Sequence, residues 1–228
     1  MNKRILNLAL PNIITNITVP LLGMVGHLSI THIGAITIGA SIFNLIYWNF
    51  GFLRMGTSGF TAQAFGARRF DESVKILVRA LVIAWTIAAA LILLQWPIAQ
   101  LSKVIFNGSA EVIRLALVYF FVRVWAAPAT LGLYAIKGWF IGMQNSKLPM
   151  WIAIFINVVN ILCSLIFVLV FHWDIKGVAL GTVIAQYSGM AAALLAAHHY
   201  YGHIIRRHLS LRNSLHWNEM RRFFRTAK

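Results

Sequence analysis

Acidic side chains are nearly missing from this chain. Five Asp and Glu stand against twenty Lys and Arg, a formal net charge of +15 over 228 residues. Charged residues of either sign reach only 11%, where a water-soluble domain averages roughly 25%, so a hydrated, charge-covered surface is excluded. Cysteine is as scarce. The single Cys163 rules out an intramolecular disulfide, and a structural zinc site ordinarily draws on several Cys and His ligands. No metal-ligand motif is present: the eight histidines scatter, and His198, His199, His203 and His208 suit membrane-interface positions with their polar tips in water. No nucleophile–base–acid set and no glycine-rich phosphate loop follows a strand, so an enzyme has no residues to stand on. Nor does the basic excess make a nucleic-acid binder, which needs a basic face on a soluble domain. Here the positive charge lies in connections and tail, where anionic headgroups meet it.

What the chain has is hydrocarbon. Hydrophobic residues make up 60% and mean hydropathy is +0.76. Six apolar stretches stand out, at about residues 5–25, 35–64, 74–97, 111–142, 150–171 and 177–197. Each reaches the roughly 20 residues that a helix needs to cross about 30 Å of hydrocarbon. The spacing predicts an all-α integral membrane protein with six transmembrane helices. The first stretch follows Met1-Asn2-Lys3-Arg4 as a signal peptide would, but it exceeds the roughly 7–15 apolar residues of such a signal and no small-residue cleavage site follows. It is predicted as a retained span.

Loop charge sets the expected orientation, because cytoplasmic loops carry excess Lys and Arg. Lys3, Arg4, Arg68, Arg69, Lys75 and Lys147 mark the N-terminus and the second and fourth connections, with the basic tail beyond the sixth stretch. The other connections hold Lys103, Arg114 and Lys176. Both termini are thus expected in the cytoplasm, in keeping with an even number of spans. Residues 1–197 form the expected transmembrane part and 198–228 a basic cytoplasmic tail. In that tail Trp217, Met220 and Phe224 fall at helical spacing, which suits a surface helix or equally a flexible linker.

Ionisable groups inside hydrocarbon default to functional suspects, and Arg54, Arg123 and Lys137 qualify. Each can also extend its charge towards a membrane surface. No carboxylate lies deep in any apolar stretch. Uncharged polar residues are more numerous: Asn12, Thr15, Asn16 and Thr18, then Asn44 and Asn49, then Asn157, Asn160 and Ser164, then Thr182 and Gln186. Asn157, Asn160 and Ser164 are spaced i, i+3, i+7 and share one helical face. Such a face can line a wet cavity or hold a small cation, or it can make interhelical hydrogen bonds worth about 0.6 kcal/mol each. Gly177, Gly181, Ala185 and Gly189 form a small-residue ridge that permits close helix packing.

The stretch at 34–48, GAITIGASIFNLIYW, and that at 51–66, GFLRMGTSGFTAQAFG, resemble the MATE family of multidrug and toxin extrusion carriers, in its DinF-like branch. PLLGMV before GHL at 20–28 resembles the end of that family's first helix, and KGVALGTVIAQYSG at 176–189 resembles its sixth. The resemblance implies two six-helix lobes that export organic cations and drug-like molecules in exchange for H+ or Na+. No other cofactor is implied. This chain resembles the first lobe, its tail the link towards a second. The expected surroundings are the lipid bilayer of a bacterial inner membrane and the implied partner a second lobe or a second copy of the chain; a structural subunit that does not itself transport is the alternative. By resemblance Asn160, Ser164 and Thr182 fall at the cation site, with Asn157, Asn44 and Gln186 as substrate-cavity candidates. Two departures stand out. The family's Asp after the stretch ending at Val25 has no counterpart, and Ser164 stands where a second Asp is usual.

Overall fold

The structure, a computed structural model, describes residues 29–106 and 108–208. The apolar stretch at 5–25, the Val25–Gly26 junction and the Trp217, Met220, Phe224 pattern lie outside them. Over the described residues the chain is helical throughout, without strands. The second apolar stretch forms α1 (Ile30–Asn49) and α2 (Gly51–Gly66), and the third forms α3 (Phe70–Leu93). A short α4 (Gln95–Ile105) follows. The fourth stretch forms α5 (Ala110–Arg123) and α6 (Ala127–Gly142), joined by a 3-10 turn at Val124–Ala126. The fifth forms α7 (Lys147–Leu165), which closes in a π-helical turn at Ile166–Val170, and the sixth forms α8 (Asp174–His208). Among the described residues, five segments are long and apolar enough to cross a bilayer: Ile30–Gly66, Phe70–Leu93, Ala110–Gly142, Lys147–Val170 and Asp174–Arg207. In hydrocarbon only a helix or a closed barrel satisfies its own backbone polar groups, so apolar runs of this length fold as helices.

Two boundaries differ from expectation. The third and fourth apolar stretches, 74–97 and 111–142, leave a gap between them, yet α4 fills most of it and runs to Ile105. Pro97 sits in its first turn, where a missing N–H costs nothing. Ala99 and Ser102 turn inward, Ser102 Oγ donates to Ile98 O at 2.8 Å, and Trp96, Leu101 and Val104 stay exposed. The last helix also continues beyond residue 197 to His208. Its 35 residues measure about 52 Å at 1.5 Å per residue, more than the hydrocarbon needs. Pro128 lies in the first turn of α6, after the 3-10 turn, and so breaks no helical hydrogen bond there.

Tight corners join the long helices. Arg68 closes α2 with φ 56° while Arg69 N–H donates to Ala64 O at 2.9 Å. Gln144 closes α6 with φ 60° while Asn145 N–H donates to Phe140 O at 2.9 Å. Both pairs satisfy carbonyls that a helix end leaves free.

The chain divides into two compact units. The first takes the described residues up to Ile46, with Ala90–Ala127 and Ala153–Ser188; the second takes Tyr47–Ala89, Pro128–Ile152 and the described residues from Gly189 onward. In the first, α1 and α5 pack side by side. A Cβ on Gly39 would meet the Tyr119 ring at 2.5 Å, so only glycine admits that ring. Phe43 stacks on Phe120 at 5.2 Å. Gly34 lies against Val112 and Phe43 against Arg123, so numbers rise together and the two helices run parallel.

In the second unit, α2 meets α6 through Thr57 and Thr61, which face Gly138 and Gly142. Both pairs are four apart, the spacing that stacks residues on one helical face. Trp139, fully buried, donates from Nε1 to the backbone oxygen and to Oγ of Ser73, both at 3.0 Å. Ser73 Oγ in turn donates to Met143 Sδ at 3.2 Å. Tyr201 sets its ring edge-on to Trp139 at 5.0 Å and accepts at its hydroxyl from Asn145 Nδ2 at 3.2 Å. These bonds tie α3, α6 and α8 together in that unit.

Candidate functional site

All six polar candidates fall in the first unit. Asn160 on α7 and Thr182 on α8 meet: Asn160 Nδ2 donates to Thr182 Oγ1 at 2.9 Å, and Thr182 Oγ1 donates onward to Val178 O at 3.1 Å. Thr182 has spent its single hydroxyl proton. Its oxygen and the Asn160 side-chain carbonyl are the acceptor atoms of the pair.

Ser164 is buried at 1% exposure, and its Oγ has no hydrogen-bond partner among the described residues. It lies against Gly181, where a Cβ would come within 2.6 Å of Ser164 Oγ and 2.9 Å of its backbone nitrogen. Glycine at 181 therefore lets the two backbones approach, and the small-residue ridge acts here as packing. Gly177 repeats the contact one turn earlier, against Phe167. The π-helical turn begins two residues after Ser164, and Trp173 N–H reaches back to Phe167 O at 3.0 Å. Such turns concentrate near functional sites. Asn44 is exposed, and Asn157 and Gln186 are partly buried.

No carboxylate stands on α7, and on α8 the single one is Asp174. It precedes Thr182 by about 12 Å along an ideal helix. The donor set thus offers neutral oxygens and no negative charge.

The cations in the apolar stretches differ in their surroundings. The Arg123 guanidinium lies 5.0 Å from the Phe43 ring centroid and 5.5 Å from that of Tyr119, whose hydroxyl it also bonds. Ring faces hold a cation where no carboxylate is at hand. Arg54 is exposed and Lys137 partly buried. Sequence reading overlooked Arg79, which is 5% exposed on α3 and pairs with Glu72 at 3.4 Å. Its signal was an acid two helical turns upstream.

A cavity of about 680 Å3 opens in the first unit where α1, α5 and the start of α8 meet. His32, Arg114, His172 and Lys176 line it, against one carboxylate, Asp174. Ser109 caps α5 by accepting from Val112 N–H at 3.4 Å, which fixes the turn that carries Arg114. None of the six polar candidates lines this cavity.

Stacked apolar helices with polar groups paired between them define a class first: an α-helical membrane protein that crosses the bilayer many times. The MatE family model matches residues 6–166. The chain belongs to that family. It is 37% identical over 200 residues to DNA damage-inducible protein F of Escherichia coli (strain K12), covering 85% of this chain and 44% of that protein. It is 27% identical over 201 residues to Multidrug and toxin extrusion protein 1 of Oryctolagus cuniculus, covering 82% and 34%. A solved MOP superfamily transporter from Pyrococcus furiosus shares the fold, with a TM-score of 0.77 at 18% identity, over 95% of this chain and 46% of that one. The chain spans less than half the length of each.

Proposed function

We propose that this chain is one lobe of a multidrug efflux carrier that exports organic cations and drug-like molecules by H+- or Na+-coupled antiport. Family membership, with the family model matched over residues 6–166, carries the proposal, and the chain spans under half the length of the relatives it matches. A carrier path between lobes needs a second wall, and alternating access needs one bundle to rock against another. That wall is supplied by a separate second lobe or by a second copy in the same orientation, so this chain alone transports weakly. The work is transport, not catalysis. Asn160, Ser164 and Thr182 stand at the coupling-ion site, and Asn157, Asn44 and Gln186 face the substrate. The protein sits in a bacterial inner membrane with both termini in the cytoplasm, and residues 198–228 link the lobes.

A cell strain lacking its own exporters, expressing this chain alone or with a matching second lobe, tests the assignment. Accumulation of a cationic dye should fall markedly only in the completed pair, with cross-links between the two parts. Dye export unchanged by the second lobe, with only monomers cross-linked, removes the carrier-half proposal. It leaves a membrane subunit without transport, which the missing carboxylate at Ser164 favours.

A further inference from the structure

The geometry points to the cavity between α1, α5 and the start of α8 as a binding site for a phosphate-headed anionic lipid. Four of its lining residues, His32, Arg114, His172 and Lys176, are basic side chains, against the lone Asp174. Its other walls are hydrocarbon, including Leu115, Val118 and Leu180. A basic mouth over an apolar floor fits a ligand with an anionic head and an aliphatic body, and about 680 Å3 is within the usual range of ligand pockets.

Position decides between a lipid and a water-soluble anion. Trp173 stacks on Phe167 at 5.4 Å and lies 5.4 Å from Phe171, so an aromatic cluster flanks the mouth. Trp and aromatic clusters of this kind settle at headgroup level. The lining comes from His32 near the start of α1, Arg114 in the first turns of α5 and the first residues of α8. All are ends of membrane-crossing segments rather than their middles. A lipid phosphate therefore meets Arg114 and Lys176 while its acyl chains follow Val118 and Leu180 into the hydrocarbon. Basic pockets between transmembrane helices hold anionic headgroups by the same physics. The site is separate from Asn160 and Thr182 and does not depend on transport.

The 228-residue chain in detergent, offered equal amounts of phosphatidylglycerol and phosphatidylcholine, tests this by native mass spectrometry. Phosphatidylglycerol should be retained preferentially. Retention should fall roughly fivefold with Arg114→Gln and again with Lys176→Gln, following the usual attraction per basic residue near an anionic surface. Val118→Trp, which fills the floor without touching charge, should also lose the lipid at unchanged helix content. Arg206→Gln with Arg207→Gln, outside the cavity, should leave retention as it was. Equal retention of the two lipids, or an equal loss from the Arg206 and Arg207 changes, overturns the assignment. Inorganic phosphate that raises the melting temperature as much as phosphatidylglycerol, through the same two residues, transfers the site to free phosphate and overturns the lipid.

Discussion

Asn160 donates its side-chain amide proton to the Thr182 hydroxyl across α7 and α8, at 2.9 Å. The pair is a direct polar bridge between two of the six polar candidates. A double-mutant cycle of Asn160→Ala and Thr182→Val should give a coupling of about 0.6 kcal/mol, with about 1.7 as a ceiling for such bonds in membranes. Unfolding in mixed micelles measures it. A coupling of zero means that the bridge does not form in solution.

Gly181 should tolerate no side chain. Gly181→Ala brings a methyl within 2.6 Å of Ser164 Oγ and 2.9 Å of its backbone nitrogen, and overpacking of this kind costs about 1–3 kcal/mol. Ser164→Ala alone removes a buried hydroxyl that is unpartnered among the described residues, and should leave the melting temperature level or higher. The two changes together should cost less than Gly181→Ala alone, because neighbouring sites couple. Simple additivity in the melting temperatures counts against this contact.

Ser164→Asp tests the coupling-ion proposal. A carboxylate there costs at most about 2.5–3.5 kcal/mol, the value for Asp at the centre of a membrane helix, so the variant should melt lower. Sodium should raise the variant's melting temperature and leave the parent's unchanged. An identical sodium response in both proteins removes Ser164 from the ion site.

Glycines that look alike should behave differently. Gly142→Ala meets Thr61 at 2.5 Å and Ser58 O at 2.7 Å, whereas nothing lies within 4 Å of a Cβ on Gly51. The first change should lower the melting temperature, while Gly51→Ala should hold or raise it, since glycine in a helix costs about 0.5–1 kcal/mol relative to alanine. Equal losses from the two would refute the α2–α6 packing.

Gln144 holds φ 60° at the corner after α6. Gln144→Gly should raise thermal stability, because left-handed backbone costs a residue with a Cβ about 1–2 kcal/mol. Gln144→Val should lower it, a β-branched side chain being the least suited to that conformation. Circular dichroism melts of the two variants decide the sign.

The apolar stretches were readable because their signal is additive. Twenty consecutive apolar residues outweigh any local preference, and hydrocarbon leaves a helix as the structure that can follow. The polar face of Asn157, Asn160 and Ser164 was also visible, since helical periodicity alone groups them. Which member would meet α8 was not. Asn160 reaches Thr182, while Ser164 turns into the Gly181 contact, and that choice depends on the rotation and approach of two helices. Arg79 escaped notice for a related reason: as one charge in a strongly apolar run it does not change the hydropathy, and only folding shows it buried beside Glu72.

Composition alone settled that this polypeptide lives in lipid, that its backbone is helical and that Asn160, Ser164 and Thr182 bring no charge, because those follow from residue counts and their order along the chain. Three-dimensional packing settled the rest. It brought His32, Arg114 and Lys176, 144 positions apart from first to last, around one cavity, and it set Gly138 and Gly142 against Thr57 and Thr61. Such meetings between distant residues depend on close-packed shape, where a single methyl group decides whether two helices can touch.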